Sequence, residues 1–129
     1  MSRLSAPATL VAAAPLLLLL GGCRAGRYTS PAEIVPGGNS QAGARLIAAY
    51  RCGACHMIPG IKGADGLVGP PLILFARRTY VGGEVPNTPP NLVHWIMDPA
   101  SIEPGTAMPA LGLSEQQARD VAAYLYTLR

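Results

Sequence analysis

The sequence predicts an all-α fold in which three main helices are joined by long Gly- and Pro-rich loops. Apolar residues recur at helical spacing in three separate stretches, each preceded by a residue able to cap a helix. Between the first two stretches lie about thirty residues, Met57 to Pro86, rich in Gly and Pro and without a strand pattern. The chain has 129 residues, 50% hydrophobic and 13% charged, with no internal repeat, which suits one small domain and an export segment and excludes two folded domains.

Residues 1–22 read as a processing signal. Arg3 supplies a basic start, Leu10 to Leu20 an apolar run broken by Pro15, and Leu20-Gly21-Gly22 a small-residue cleavage region. That run of about eleven residues falls short of the ~20 that span a bilayer. Cys23 follows, and Leu-Gly-Gly-Cys resembles the lipobox of bacterial lipoproteins, in which this cysteine is acylated and becomes the new N-terminus. Residues 23–40, rich in Gly, Pro, Ser and Asn, read as a flexible tether from that lipid, and 41–129 as the folded domain.

The first helix of the domain places Gly43, Leu46, Ile47 and Tyr50 on one face, with Ser40 as cap, and leads into Cys52. The second runs from Pro89 to Asp98 with Thr88 as cap. Its prolines are confined to the first turn, Leu92, Trp95 and Ile96 share a face, and Pro99 stops it. The third begins at Ser114, which forms a capping-box pattern with Gln117, and carries Val121, Tyr124, Leu125 and Leu128 at i, i+3, i+4 and i+7. A long irregular segment counts against a compact domain unless it wraps something that supplies the missing core. A domain of about 90 residues with one Phe and one Trp needs such a supplement.

Cys52-Gly53-Ala54-Cys55-His56 supplies a reason for one. C-x-x-C-H is the c-type haem attachment pattern: at the end of a helix both sulfurs reach the two vinyl groups while His56 swings under the iron. A thioredoxin-like dithiol would need a strand before the motif and a βαβ context. Zinc would need four ligands, and only Cys52, Cys55, His56 and His94 are on offer, with adjacent Cys55 and His56 poorly placed around one tetrahedral ion. The candidates for the second axial position are Met57, Met97, Met108 and His94. Met57 would have to reach around the porphyrin, Met97 sits in a helix as a packing residue, and His94 falls away from the apolar face. Met108, in the loop Pro104-Gly-Thr-Ala-Met108-Pro109 whose prolines restrict the backbone, is the expected ligand.

With C-x-x-C-H, Gly-Pro and Pro-Gly-Thr-x-Met in this order before a C-terminal amphipathic helix, the chain resembles the class I c-type cytochromes over nearly all of 41–129. The resemblance implies the cytochrome c fold around one covalent haem c, with the first and last helices crossing near Gly43 and Tyr124. It further implies that the Pro70 carbonyl accepts a hydrogen bond from the proximal imidazole, with Pro71 the alternative register. Arg78 would lie near a haem propionate, and Trp95 against the methionine side of the haem. Ala48 and Ala49, with Tyr50 nearby, depart from the bulky aromatic often found before C-x-x-C-H. Residues 87–129 more narrowly resemble small cytochromes associated with respiratory terminal oxidases, especially in Asn-Thr-Pro-Pro-Asn-Leu-Val and Ala-Tyr-Leu-Tyr-Thr-Leu.

The function expected is therefore single-electron transfer between membrane-bound redox proteins, from an upstream reductase towards a terminal oxidase. The lipid on Cys23 would hold the protein at the bilayer on the periplasmic or outer side of the cytoplasmic membrane. Filled axial positions leave no place for a small-molecule substrate and argue against an enzyme. A haem sensor or catalyst with a displaceable Met108, and a fixed subunit of an oxidase or dehydrogenase complex, are the competing readings. The formal charge is +3; without Arg3 nine Lys and Arg stand against seven Asp and Glu, a formal +2 that two propionates would roughly cancel. The basic residues are scattered except for Arg77-Arg78, so no nucleic-acid partner is expected.

Overall fold

The computed structural model describes residues 34–129; the signal peptide, Cys23 and most of the expected tether lie outside the described residues. Among the described residues are three α-helices, α1 (Ser40–Ala49), α2 (Pro89–Met97) and α3 (Glu115–Leu125), with short 3-10 turns at Cys52–Ala54, Phe75–Arg77 and Pro99–Ser101. The stretch expected to lack strands contains one antiparallel pair, β1 (Tyr80–Val81) and β2 (Val85–Pro86), in the register Tyr80–Pro86 and Val81–Val85. Gly82 and Gly83, both at positive φ, lie in the turn between them, so to the expected three helices the structure adds one short hairpin with two residues in each strand.

Each helix starts for a local reason. Asn39, one residue earlier than expected, caps α1: its side chain accepts from Ala42 N at 2.9 Å, and its own N–H donates to Asp120 Oδ1 at 2.8 Å. Thr88 precedes α2 but makes no side-chain capping bond; Asn91 instead donates to the Pro86 carbonyl at 2.9 Å and secures the entry. The capping box of α3 is complete, with Gln117 N donating to Ser114 Oγ at 3.3 Å and Ser114 N to Gln117 Oε1 at 2.9 Å.

Helices α1 and α3 cross, and α2 also packs on α3. At the crossing a Cβ on Gly43 would drive into the Asp120 carbonyl, so only glycine permits the approach. Ala118, Ala122 and Ala123 on α3 are fully buried, and small side chains there allow the short distance. Ile47, Leu92, Ile96, Val121 and Leu125 close the core around this contact. The packed unit reaches back beyond the expected boundary at residue 41: Val35 is fully buried, and Gln116 Nε2 donates to the Gly37 carbonyl at 2.8 Å. The last part of the segment read as a tether thus lies against the domain.

The irregular stretch after α1 is held by non-periodic bonds. Gly66 N donates to Gly53 O at 3.0 Å, Gly69 N to Cys55 O at 2.8 Å, Leu72 N to Met57 O at 2.7 Å and Ala76 N to Leu128 O at 2.9 Å. The Tyr124 hydroxyl reaches from α3 to the Pro59 carbonyl at 2.6 Å. No helix of the described residues is long and apolar enough to cross a membrane.

Candidate haem site

A cavity of about 550 Å³ opens between the end of α1, the irregular loop, α2 and the segment before α3. Its volume falls in the range that encloses a cofactor. The residues expected at the site, Cys52, Cys55, His56, Pro70, Arg78, Trp95 and Met108, all line it. Met57, Met97 and His94 are not among the lining residues. His94 is exposed: Ser101 Oγ already donates to Asp98 O at 2.7 Å, so the 2.9 Å contact between His94 Nε2 and Ser101 Oγ is donated by the imidazole.

Arg51, at φ 55, turns the chain from α1 into the 3-10 turn of Cys52–Ala54, where both thiols sit half-buried at the cavity wall. Burial pushes the Cys52 thiol above its ordinary pKa. His56 Nδ1 lies 2.8 Å from the Pro70 carbonyl. A carbonyl can only accept, so Nδ1 carries the proton and Nε2 keeps the lone pair that a metal needs. A Cβ on Gly69 would collide with the same ring, so the Gly-Pro pair both makes room for the imidazole and supplies its acceptor.

Pro71, the alternative register, has a different partner: its carbonyl accepts from Arg78 Nη2. The Arg78 guanidinium also lies 5.4 Å from the centre of the Phe75 ring, and partial burial lowers its pKa from the usual arginine value. Arg51 and Arg78 line the cavity with no acidic residue among the lining, so the wall is suited to anionic substituents. Met108 is half-buried on a braced loop: Met108 N donates to Thr106 Oγ1 at 3.2 Å, Thr106 N to Glu103 O at 3.0 Å and Gly105 N to Glu103 Oε1 at 2.8 Å. Trp95 packs over Gly82, where any side chain would strike the indole.

These residues fit a haem. The lining is largely apolar, two thiols stand at the wall, and an imidazole with its tautomer fixed shares the cavity with a thioether, the donor pair of a histidine–methionine iron. Among the described residues no group of three or more His, Cys, Asp or Glu is placed to hold a metal ion, which speaks against the zinc alternative.

Sequence reasoning assigned no role to Asn87 or Tyr126. Tyr126 is buried beside Phe75, ring centres 6.2 Å apart at 72°, and its hydroxyl donates to Asn87 Oδ1 at 2.9 Å. Asn87 Nδ2 in turn reaches the carbonyls of Phe75 at 3.2 Å and Arg78 at 3.1 Å. Burial raises the Tyr126 pKa to about 12. An asparagine directly before Thr-Pro-Pro was the available signal, and it reads locally as turn chemistry.

Comparison with known proteins points the same way. The family model described as cytochrome c matches residues 40–129. Cytochrome c oxidase subunit 2 of Alkalihalophilus pseudofirmus is 35% identical over 79 residues, which make up 60% of this chain. The aligned part amounts to 22% of that protein's length.

Proposed function

We infer the function from one premise: the chain belongs to the cytochrome c family, whose members carry covalently bound haem c and transfer electrons. On that basis the protein is a single-haem electron carrier. Cys52 and Cys55 would hold the haem covalently, His56 and Met108 would supply the donors to its iron, and Arg78 and Trp95 would line its surroundings. The observation that carries this reading is the 2.8 Å contact of His56 Nδ1 with Pro70 O in a cavity that Met108 also lines.

The haem, when bound, supplies the one-electron couple. The chain supplies the rest. Pro70 fixes the imidazole tautomer and makes the ring a better donor, and the thioether of Met108 favours the reduced state relative to a second imidazole. Apolar walls exclude water, and His56 and Met108 together would leave the iron no free place for a substrate, which suits a carrier better than an enzyme.

Its partners are membrane-bound redox proteins, with a terminal oxidase downstream; the likeness to an oxidase subunit supports this direction. A lipid on Cys23, after cleavage of residues 1–22, holds it at the periplasmic or outer face of the cytoplasmic membrane and raises its effective concentration near those partners. The experiment is a visible spectrum of protein matured with a c-haem assembly system, recorded oxidised, reduced, and reduced under carbon monoxide. A covalent haem whose reduced spectrum ignores carbon monoxide is expected, and Met108→Ala should create a carbon monoxide adduct. An adduct in the unaltered protein would favour sensing or catalysis, and absence of covalent haem would overturn the assignment. Loss of lipid labelling and membrane retention in Cys23→Ser tests the anchor separately.

A further inference from the structure

We propose that Asn87 is the positioning residue that holds Arg78 against the haem cavity, with Tyr126 fixing Asn87. The inference rests on the haem reading above and goes beyond it by assigning the residues that place the cation.

Arg78 lines the cavity, yet neither of its guanidinium contacts is an acid: one is the Pro71 carbonyl, the other the face of Phe75. Its charge is therefore not neutralised by those contacts, and its direction depends on where the backbone at residue 78 is held. That backbone is gripped by Asn87. The Asn87 side chain donates to both the Phe75 and the Arg78 carbonyls, at 3.2 and 3.1 Å, spanning the 3-10 turn that ends in Arg78. Its main-chain N–H donates to Thr79 O at 2.8 Å, just before β1, so one residue closes the base of the hairpin and the end of the turn together.

The chemistry selects asparagine. Two carbonyls require a two-donor group, which aspartate lacks and a hydrocarbon would leave unsatisfied. The orientation of the amide is fixed as well: a Tyr126 hydroxyl that donates at 2.9 Å must meet Oδ1, which turns Nδ2 towards the two carbonyls. Tyr126 is itself locked by burial and by its edge contact with Phe75. The series runs from α3 through Tyr126 and Asn87 to Arg78, and from Arg78 to the Pro71 carbonyl beside the acceptor of His56.

A cation fixed at the cavity favours the haem state that has gained an electron, so releasing Arg78 lowers the midpoint potential. Holoprotein is prepared as wild type, Arg78→Ala, Asn87→Ala, the double variant and Tyr126→Phe, and each potential is measured by redox titration. Arg78→Ala should weaken the preference for the reduced state about fivefold, a fall of about 40 mV at 59 mV per tenfold for one electron. Asn87→Ala should reproduce most of that fall, and the double variant should fall no further than Arg78→Ala alone. Tyr126→Phe, which keeps the ring contact with Phe75, should fall less and serves if Asn87→Ala does not fold. Tyr124→Phe, a comparable loss of one hydroxyl bond elsewhere on α3, should leave the potential unchanged. Potentials of Asn87→Ala and Tyr126→Phe equal to wild type, or a fall in the double variant equal to the sum of the singles, would overturn the inference. A wild-type protein that takes up no covalent haem would instead remove the proposed function, and the inference with it, before any variant is compared.

Discussion

The α1–α3 crossing and the irregular stretch from Met57 to Pro86 meet the same demand, burying apolar surface without stranding polar groups, by opposite means. At the crossing the contact is between helix surfaces whose backbone bonds are already made, and glycine and alanine let them touch. In the irregular stretch single hydrogen bonds, most of them between backbone groups and a few from the side chains of Tyr124 and Asn87, stand in for a ladder. The first region is specified by what is small, the second by which polar atoms find one another. Damage to the crossing should therefore register as global instability, and damage to the loop where it lines the cavity as altered chemistry there.

The largest effect that separates the two is Gly43→Val. Its side chain meets the Asp120 backbone, and an overpacked helix contact with no room to shift should cost about 3 kcal/mol or more. Urea unfolding should show a lower midpoint at unchanged slope. Gly69→Ala is the counterpart in the loop. It should cost less, about 1–2 kcal/mol, while displacing the His56 ring that its Cβ strikes, so the visible spectrum should change more than the unfolding midpoint.

Tyr124→Phe joins the regions, because its hydroxyl runs from α3 to Pro59 O. Loss of that bond should cost about 1 kcal/mol and should appear as faster proteolysis around residues 57–63. The effect with the narrowest range is confined to alkaline pH. Folding raises the Tyr126 pKa to about 12, so the neutral phenol is the form that the fold favours. Its contribution is intact below the unfolded value near 10 and is lost as pH rises towards 12. Thermal melts between pH 9 and 12 should show that decline, and Tyr126→Phe should flatten it while starting from a lower stability.

How far each region could be read from the sequence follows from the same contrast. The helices were legible because their apolar spacing is local, and the Ser114–Gln117 box is written within four residues. The start of α1 was misplaced by one residue because Asn39 and Ser40 are both able caps. What selects Asn39 is its bond to Asp120, 81 positions away, which no local pattern contains. The hairpin was missed although Gly82-Gly83 between Val81 and Val85 was a signal, since strands of two residues show no alternation. At the site, the seven residues singled out by fixed spacing or by the family motifs all line the cavity. Asn87 and Tyr126 were not, because their importance lies in carbonyls contributed by Phe75 and Arg78, and carbonyls leave no mark in a sequence.

The latch between Asn39 and Asp120 also sets an order of events wherever the chain is delivered from its N-terminal end, since its two partners lie 81 positions apart. The interval between the arrival of one partner and of the other grows with that separation. For all of that time α1 has no partner to cross, and the core it shares with α3 cannot close. The segment Cys52 to His56 is completed early in this interval, with both thiols still on an open chain. Among the described residues, a fold that joins its first helix to its last leaves Cys52 and Cys55 reachable until nearly the whole domain is in place.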